Sequence, residues 1–162
     1  MPEPTPAYTQ AREALLATSP ETSPTEATEP PRQTYGVVVD LGFNPLFTVA
    51  VFADGTTSAY DGNGGAVTGL GEMVAPLVLG RGLLGAVEAN MASFRPVEST
   101  PLPAFGRVRF TVLTRDGRLG VEADGATLLK GGHPLSTAFN AVMGIMEQAR
   151  NRAAGPDAPP VN

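Results

Sequence analysis

Between Tyr35 and Lys130 the apolar positions fall into short runs, several of them alternating with polar ones, and Asp-Gly pairs punctuate them. Three of these pairs, at 54–55, 116–117 and 124–125, lie between strand-like runs. Asp-Gly is a strong signal for a two-residue hairpin, because a type I′ turn needs positive φ at both central positions. The runs are YGVVVDL (35–41), LFTVAVFA (46–53), TTSAY (56–60), RVRFTVLTR (107–115), RLGVEA (118–123) and ATLLK (126–130). They predict two three-stranded antiparallel meanders. After each meander the apolar period lengthens. Met73, Leu77, Gly80, Leu84, Val87, Met91 and Phe94 form one stripe, and Leu135, Phe139, Val142, Met146 and Ala149 form another. Each stripe marks an amphipathic helix facing a core. The expected fold class is α+β: an antiparallel sheet built from a βββα unit used twice, with two long helices packed on one face. ADGTT (53–57) and ADGAT (123–127) occupy the same place in the two units.

LFTVAVFA is apolar on both sides. Leu46, Ala50 and Phe52 point one way; Phe47, Val49 and Val51 point the other, where Val38 and Tyr60 are also expected. A strand apolar on both faces needs a cover on both. The two helices supply one cover. Phe47, Val49, Val51 and Tyr60 are then the expected interaction residues on the second face. Their cover is the N-terminal helix, a twin subunit or another protein.

That helix is expected over PAYTQAREALLAT (6–18), where Tyr8, Ala11 and Leu15 share a face with Leu16 at its edge. It is too short to be stable alone in water. SPETSPTEATEPPR (19–32) holds no large apolar side chain and reads as a flexible linker. The expected organisation is a helix and linker over 1–34, one α+β domain over 35–152 and a tail over 153–162.

Several stretches invite a chemical reading. GRGLLG (80–85) matches the dinucleotide fingerprint, but the apolar phase from Met73 to Phe94 runs through it unbroken, so it is expected to be helical and to bind no nucleotide. VVVDLG (37–42) is similar to a phosphate motif of actin-like ATPases, whose two large halves do not fit in 162 residues. The glycine-rich loop 62–69 offers backbone N–H groups to an anion. Arg107, Arg109, Arg115 and Arg118 cluster on one expected hairpin, with a two-residue turn at 116–117 setting Arg118 opposite Arg115 and Asp124 opposite Arg109. His133 has neither an orienting acid nor a nucleophile marked beside it and reads as structural. No G-x-S-x-G or H-E-x-x-H occurs. With no cysteine and one histidine, thiolate sites and multi-histidine metal cages are excluded. The net charge of −5 disfavours a general grip on nucleic acid or an anionic membrane. Neither a membrane span nor a secretory signal is visible, and a cytoplasmic location is expected. One lysine against ten arginines, with abundant Ala, Gly and Pro, suits a GC-rich bacterial genome.

The element order over 35–152, carried by VVVDLG, FADGTT, FTVLTRDGRLGVEADG and PLSTAFNAVMGIM, resembles the roadblock/longin and profilin-like group. The resemblance implies a small scaffold domain that dimerises and binds small GTPases or other proteins. Two features depart from it: three strands rather than two after the first helix, and a linker before them. The expected function is a non-catalytic protein-interaction or scaffold module without a cofactor, forming a homo-oligomer or pairing with another cytoplasmic protein. The alternative is a sensor or enzyme that binds a small anion at 62–69 or at the arginine cluster.

Overall fold

The computed structural model describes residues 3–18 and 34–154. The expected linker 19–32 and the tail from residue 155 lie outside the described residues. Helix α1 spans Pro6–Leu16. Strands β1 (Thr34–Leu41), β2 (Phe47–Phe52), β3 (Thr57–Asp61) and the short β4 (Ala66–Val67) follow. Helix α2 covers Val74–Ala89. Then come β5 (Arg95–Pro96), β6 (Arg107–Thr114), β7 (Gly117–Asp124), α3 (Gly125–Leu129) and α4 (Ser136–Ala154). The fold is α+β. Its antiparallel sheet has the order β4-β3-β2-β1-β6-β7-β5. Among the described residues no helix is long and apolar enough to cross a membrane.

β1 lies at the centre and is buried along its whole length, as its apolar run requires. One face of the sheet carries Val37, Val39, Leu41, Val49, Val51, Val108, Phe110 and Val112 against Leu83, Leu84 and Val87 of α2 and Phe139, Val142 and Met146 of α4. At roughly 1.5–3 kcal/mol for each fully buried large side chain, this layer supplies most of the driving force. The other face carries a smaller cluster: Leu15 and Leu16 of α1 against Tyr35, Val38, Ala50, Phe52 and Leu113, with Tyr60 at its edge.

GRGLLG lies inside α2. Gly80 is buried, and a Cβ there would stand 3.1 Å from Val51 Cγ1, so its bare backbone lets the helix approach the sheet. Gly82 and Gly85 face open space. Pro76 sits in the first turn, where a missing N–H breaks no helical bond. The stripe outlasts the helix: Met91 lies in a 3-10 turn and Phe94 after it.

The Asp-Gly pairs at 54–55, 116–117 and 124–125 do three different things. At the β2–β3 turn the loop has three residues, 53–55: Phe52 N–H donates to Thr56 O at 2.9 Å, and Gly55 adopts φ +95°. Val49 therefore pairs with Ala59 and Thr48 with Tyr60. At the β6–β7 turn the two loop residues are Arg115 and Asp116, because Thr114 pairs with Gly117. At 124–125 there is no hairpin. Asp124 caps α3, its carboxylate accepting from Thr127 N–H at 3.0 Å, and the expected strand 126–130 is helical instead. The second meander is thus a two-stranded hairpin with β5 on its edge, and the first gains β4. The repeated three-stranded unit does not survive.

Candidate functional site

The face under α1 is polar along one row. Reading across the sheet, Tyr60, Thr48, Asp40, Arg109 and Glu122 are successive cross-strand partners. They share a face because direct partners in an antiparallel pair point the same way. Asp40, Thr48 and, one row over, Thr111 are fully buried.

α1 is the lid on this row. Pro6 opens it at a position that tolerates proline, and Thr5 Oγ1 accepts from Tyr8 N–H at 3.3 Å as its N-cap. Thr5 N–H donates to Gly62 O at 2.9 Å, which fixes the start of the helix on the β3–β4 loop. Residues 8, 12, 15 and 16 form its buried face. Arg12 grips Asp40 in a fork: Nε to Oδ1 and Nη2 to Oδ2, both 2.9 Å. Nη2 also donates to Thr100 O. Thr48 Oγ1 donates its one proton to Asp40 Oδ1 at 2.8 Å, so the 2.6 Å contact between Tyr8 Oη and Thr48 Oγ1 must have Tyr8 as donor. At the far end Arg118 Nη2 donates to Leu16 O at 2.8 Å, satisfying a helix-terminal carbonyl. Tyr35 Oη donates to Thr18 O at 2.7 Å.

The electrostatics follow from burial. Desolvation pushes the Tyr8 phenol up to about 12. Burial disfavours the charge on Arg12, but the bonds to Asp40 and its negative charge together outweigh that and hold the guanidinium above its ordinary value. A buried pair of this kind adds little net stability. Removing one partner, however, costs about 3–5 kcal/mol, because the other charge is left in a dry site.

Farther along the row, Arg109 Nη2 lies 3.2 Å from Glu122 Oε2, and Arg107 Nε lies 3.5 Å from Glu122 Oε1. Arg109 Nε and Thr111 Oγ1 are buried with no hydrogen-bond partner among the described residues.

The expected interaction residues separate. Phe47, Val49 and Val51 lie in or against the core beneath α2 and α4, with Val49 and Val51 fully buried. Tyr60 lies on the opposite face, beside the α1 cluster, and so does Val38. For Tyr60 the cause is the three-residue β2–β3 loop. It shifts β3 by one residue from the two-residue register, and a one-residue shift reverses every side chain of the strand. Val38 is placed by the β1–β2 register, which pairs it with Ala50. The arginine cluster also divides. Arg107 and Arg109 share Glu122, Arg118 caps α1, and Arg115 lies in the turn. Arg118 stands opposite Leu113 rather than Arg115, and Asp124 opposite Arg107. In the glycine-rich loop, Asn63 and Gly65 N–H both donate to Asp61 Oδ1, and Gly64 N–H donates to Asp61 O. Three amides of this loop, those of 63–65, are therefore engaged by Asp61. His133 Nδ1 accepts from Leu135 N–H at 3.0 Å, a turn-forming contact ahead of α4. Among the described residues no group of His, Asp and Glu could hold a metal ion.

Tyr8, Arg12, Asp40 and Thr48 form the centre of the site, and sequence reasoning did not bring them together. A signal was present. Asp40 is the one charge in VVVDL, and Arg12 falls one turn after Tyr8 and one turn before Leu16. No family model, curated protein or solved structure matches this chain.

Proposed function

We propose that this protein is a non-catalytic interaction module whose working surface is the sheet face now occupied by α1. One observation carries the reading. A short helix is held on the sheet by a buried Arg12–Asp40 fork and two hydrogen-bonded ends, with Leu15 and Leu16 as its aliphatic contacts. Such a helix makes few apolar contacts for the number of polar groups it must desolvate, and elements of that kind open before the rest of the fold. The chain length between its ends agrees. Fifteen residues, 19–33, join Thr18 to Thr34, although Thr18 O already touches Tyr35 Oη. Roughly three or four residues would bridge that gap at about 3.3–3.6 Å each. A cover on such a tether leaves its seat without disturbing the sheet, and helix-in-groove recognition then uses the vacated face.

Hydrogen exchange on the full chain tests this directly. The amides of 9–16 are expected to exchange well before those of β1 and β6, in a separate opening step. Equal protection of α1 and the central strands would make α1 a permanent part of the core and remove the reading.

A further inference from the structure

Resting on that reading, we propose that the partner is a helix of another protein presenting the face that α1 presents now. That face is an aromatic hydroxyl, a guanidinium one turn later and two aliphatic side chains three and four positions beyond, as in Tyr8, Arg12, Leu15 and Leu16.

The chemistry of the vacated face sets these requirements. Asp40 is the fixed element. Its carboxylate lies on the central strand, and both of its oxygens are taken by one fork. A guanidinium matches that geometry with two parallel bonds, whereas an ammonium meets it as a point charge. A helix without this cation would strand the carboxylate beneath it, so Asp40 rejects apolar helices as well as selecting basic ones. Thr48 spends its proton on Asp40 and is left as an acceptor, so the residue one turn before the cation must donate. Val38, Ala50, Phe52 and Leu113 form the apolar seat at the other end. The positions 7, 9, 10, 13 and 14 of α1 are not buried, so the remainder of a partner helix is unconstrained. The partner competes with a tethered copy of the same face. Because α1 belongs to the same chain, with fifteen residues between Thr18 and Thr34, that copy acts at an effective concentration on the order of millimolar, so a free helix must dock more tightly than α1 or act where α1 is weakened.

The test uses full-length protein carrying Arg12→Ala and a synthetic peptide of residues 3–18 as the probe. Saturable binding is expected by calorimetry. An Arg12→Ala peptide should bind at least about tenfold more weakly, since it leaves Asp40 unpaired. Moving the charge supplies the specificity arm: chain carrying Asp40→Arg should prefer an Arg12→Asp peptide to the natural one. The wild-type chain should need a higher peptide concentration than the Arg12→Ala chain, and it keeps the test open if that variant fails to fold. Equal affinity for the natural and Arg12→Ala peptides, or no binding to a folded Arg12→Ala chain, would overturn the proposal. So would a stable dimer formed on mixing Arg12→Asp and Asp40→Arg chains, because it would assign the face to a second copy. Failure of the peptide arms while α1 still exchanges early would reject the partner and keep the displaceable cover. Core-like protection of α1 would reject both.

Discussion

Gly80 and Gly82 are two residues apart in one helix and should respond oppositely to substitution. A Cβ at Gly80 meets Val51 and Thr57, so Gly80→Leu forces α2 away from the sheet and should cost about 1–3 kcal/mol by chemical denaturation. Gly82 faces open space, so Gly82→Ala should be neutral or stabilise by up to about 1 kcal/mol. Equal small effects would show that Gly80 is not packed. Arg12 and Asp40 make a second contrast. Either single change to Ala should destabilise the closed state by up to about 3–5 kcal/mol, limited by the free energy of releasing α1, since a released face rehydrates the stranded charge. The double change should cost clearly less than the sum of the two singles, and an additive cycle would mean that the fork is not formed. Tyr8 gives the pH dependence. Its folded value, about 12, lies above the unfolded 10.0, so its contribution is complete below pH 10 and is lost as pH rises toward 12. Tyr8→Phe should flatten that alkaline loss in pH-dependent unfolding.

At the level of elements, what was legible in the sequence depended on how many residues carried the signal. The stripes of α2 and α4 extend over several turns, and their buried residues are largely those the period of 3.6 selects. The hairpins rest on single turns, and a turn's loop length cannot be read from Asp-Gly alone. In β6–β7 the turn sits one residue early. This moves the register by two, so each side chain keeps its face and changes only its partner: Arg109 meets Glu122 instead of Asp124. In β2–β3 the loop has one extra residue, and the face itself is exchanged, which carried Tyr60 away from Val49. At 124–125 the carboxylate chose a helix cap over a turn, because Thr127 N–H and Oγ1 both lie within reach. The candidate site was the least legible part. It depends on Arg12, on a helix whose apolar pattern is only three residues deep, meeting an aspartate 28 positions away. Nothing local specifies a contact of that range. A charged residue inside an otherwise apolar strand and another inside an apolar helix face were the available hints.

The whole molecule is a single sheet with unequal covers. Phe110, Val49, Leu83 and Phe139 belong to a layer to which both long helices contribute. The layer under α1 has fewer apolar side chains and a polar row running through it. Damage to the two sides should therefore differ in kind. Val49→Asp places a carboxylate in the main layer with no cation nearby in the sheet pairing, and it should unfold the chain, at a cost above about 4 kcal/mol. Leu15→Asp with Leu16→Asp instead opposes only the seating of α1. It should leave the sheet, α2 and α4 folded, with far-ultraviolet circular dichroism reduced only by the helical signal of α1. The uncovered seat then consists of Tyr35, Val38, Ala50, Phe52 and Leu113, an apolar patch in the middle of a broad sheet. Patches of that type bind hydrophobic dyes and drive association. The double variant should accordingly bind such a dye and show concentration-dependent mass in light scattering, while Val49→Asp loses its cooperative melting transition altogether. If the double variant unfolds as completely as Val49→Asp, the two covers are one cooperative unit, and the sheet has no face that could be vacated for a partner.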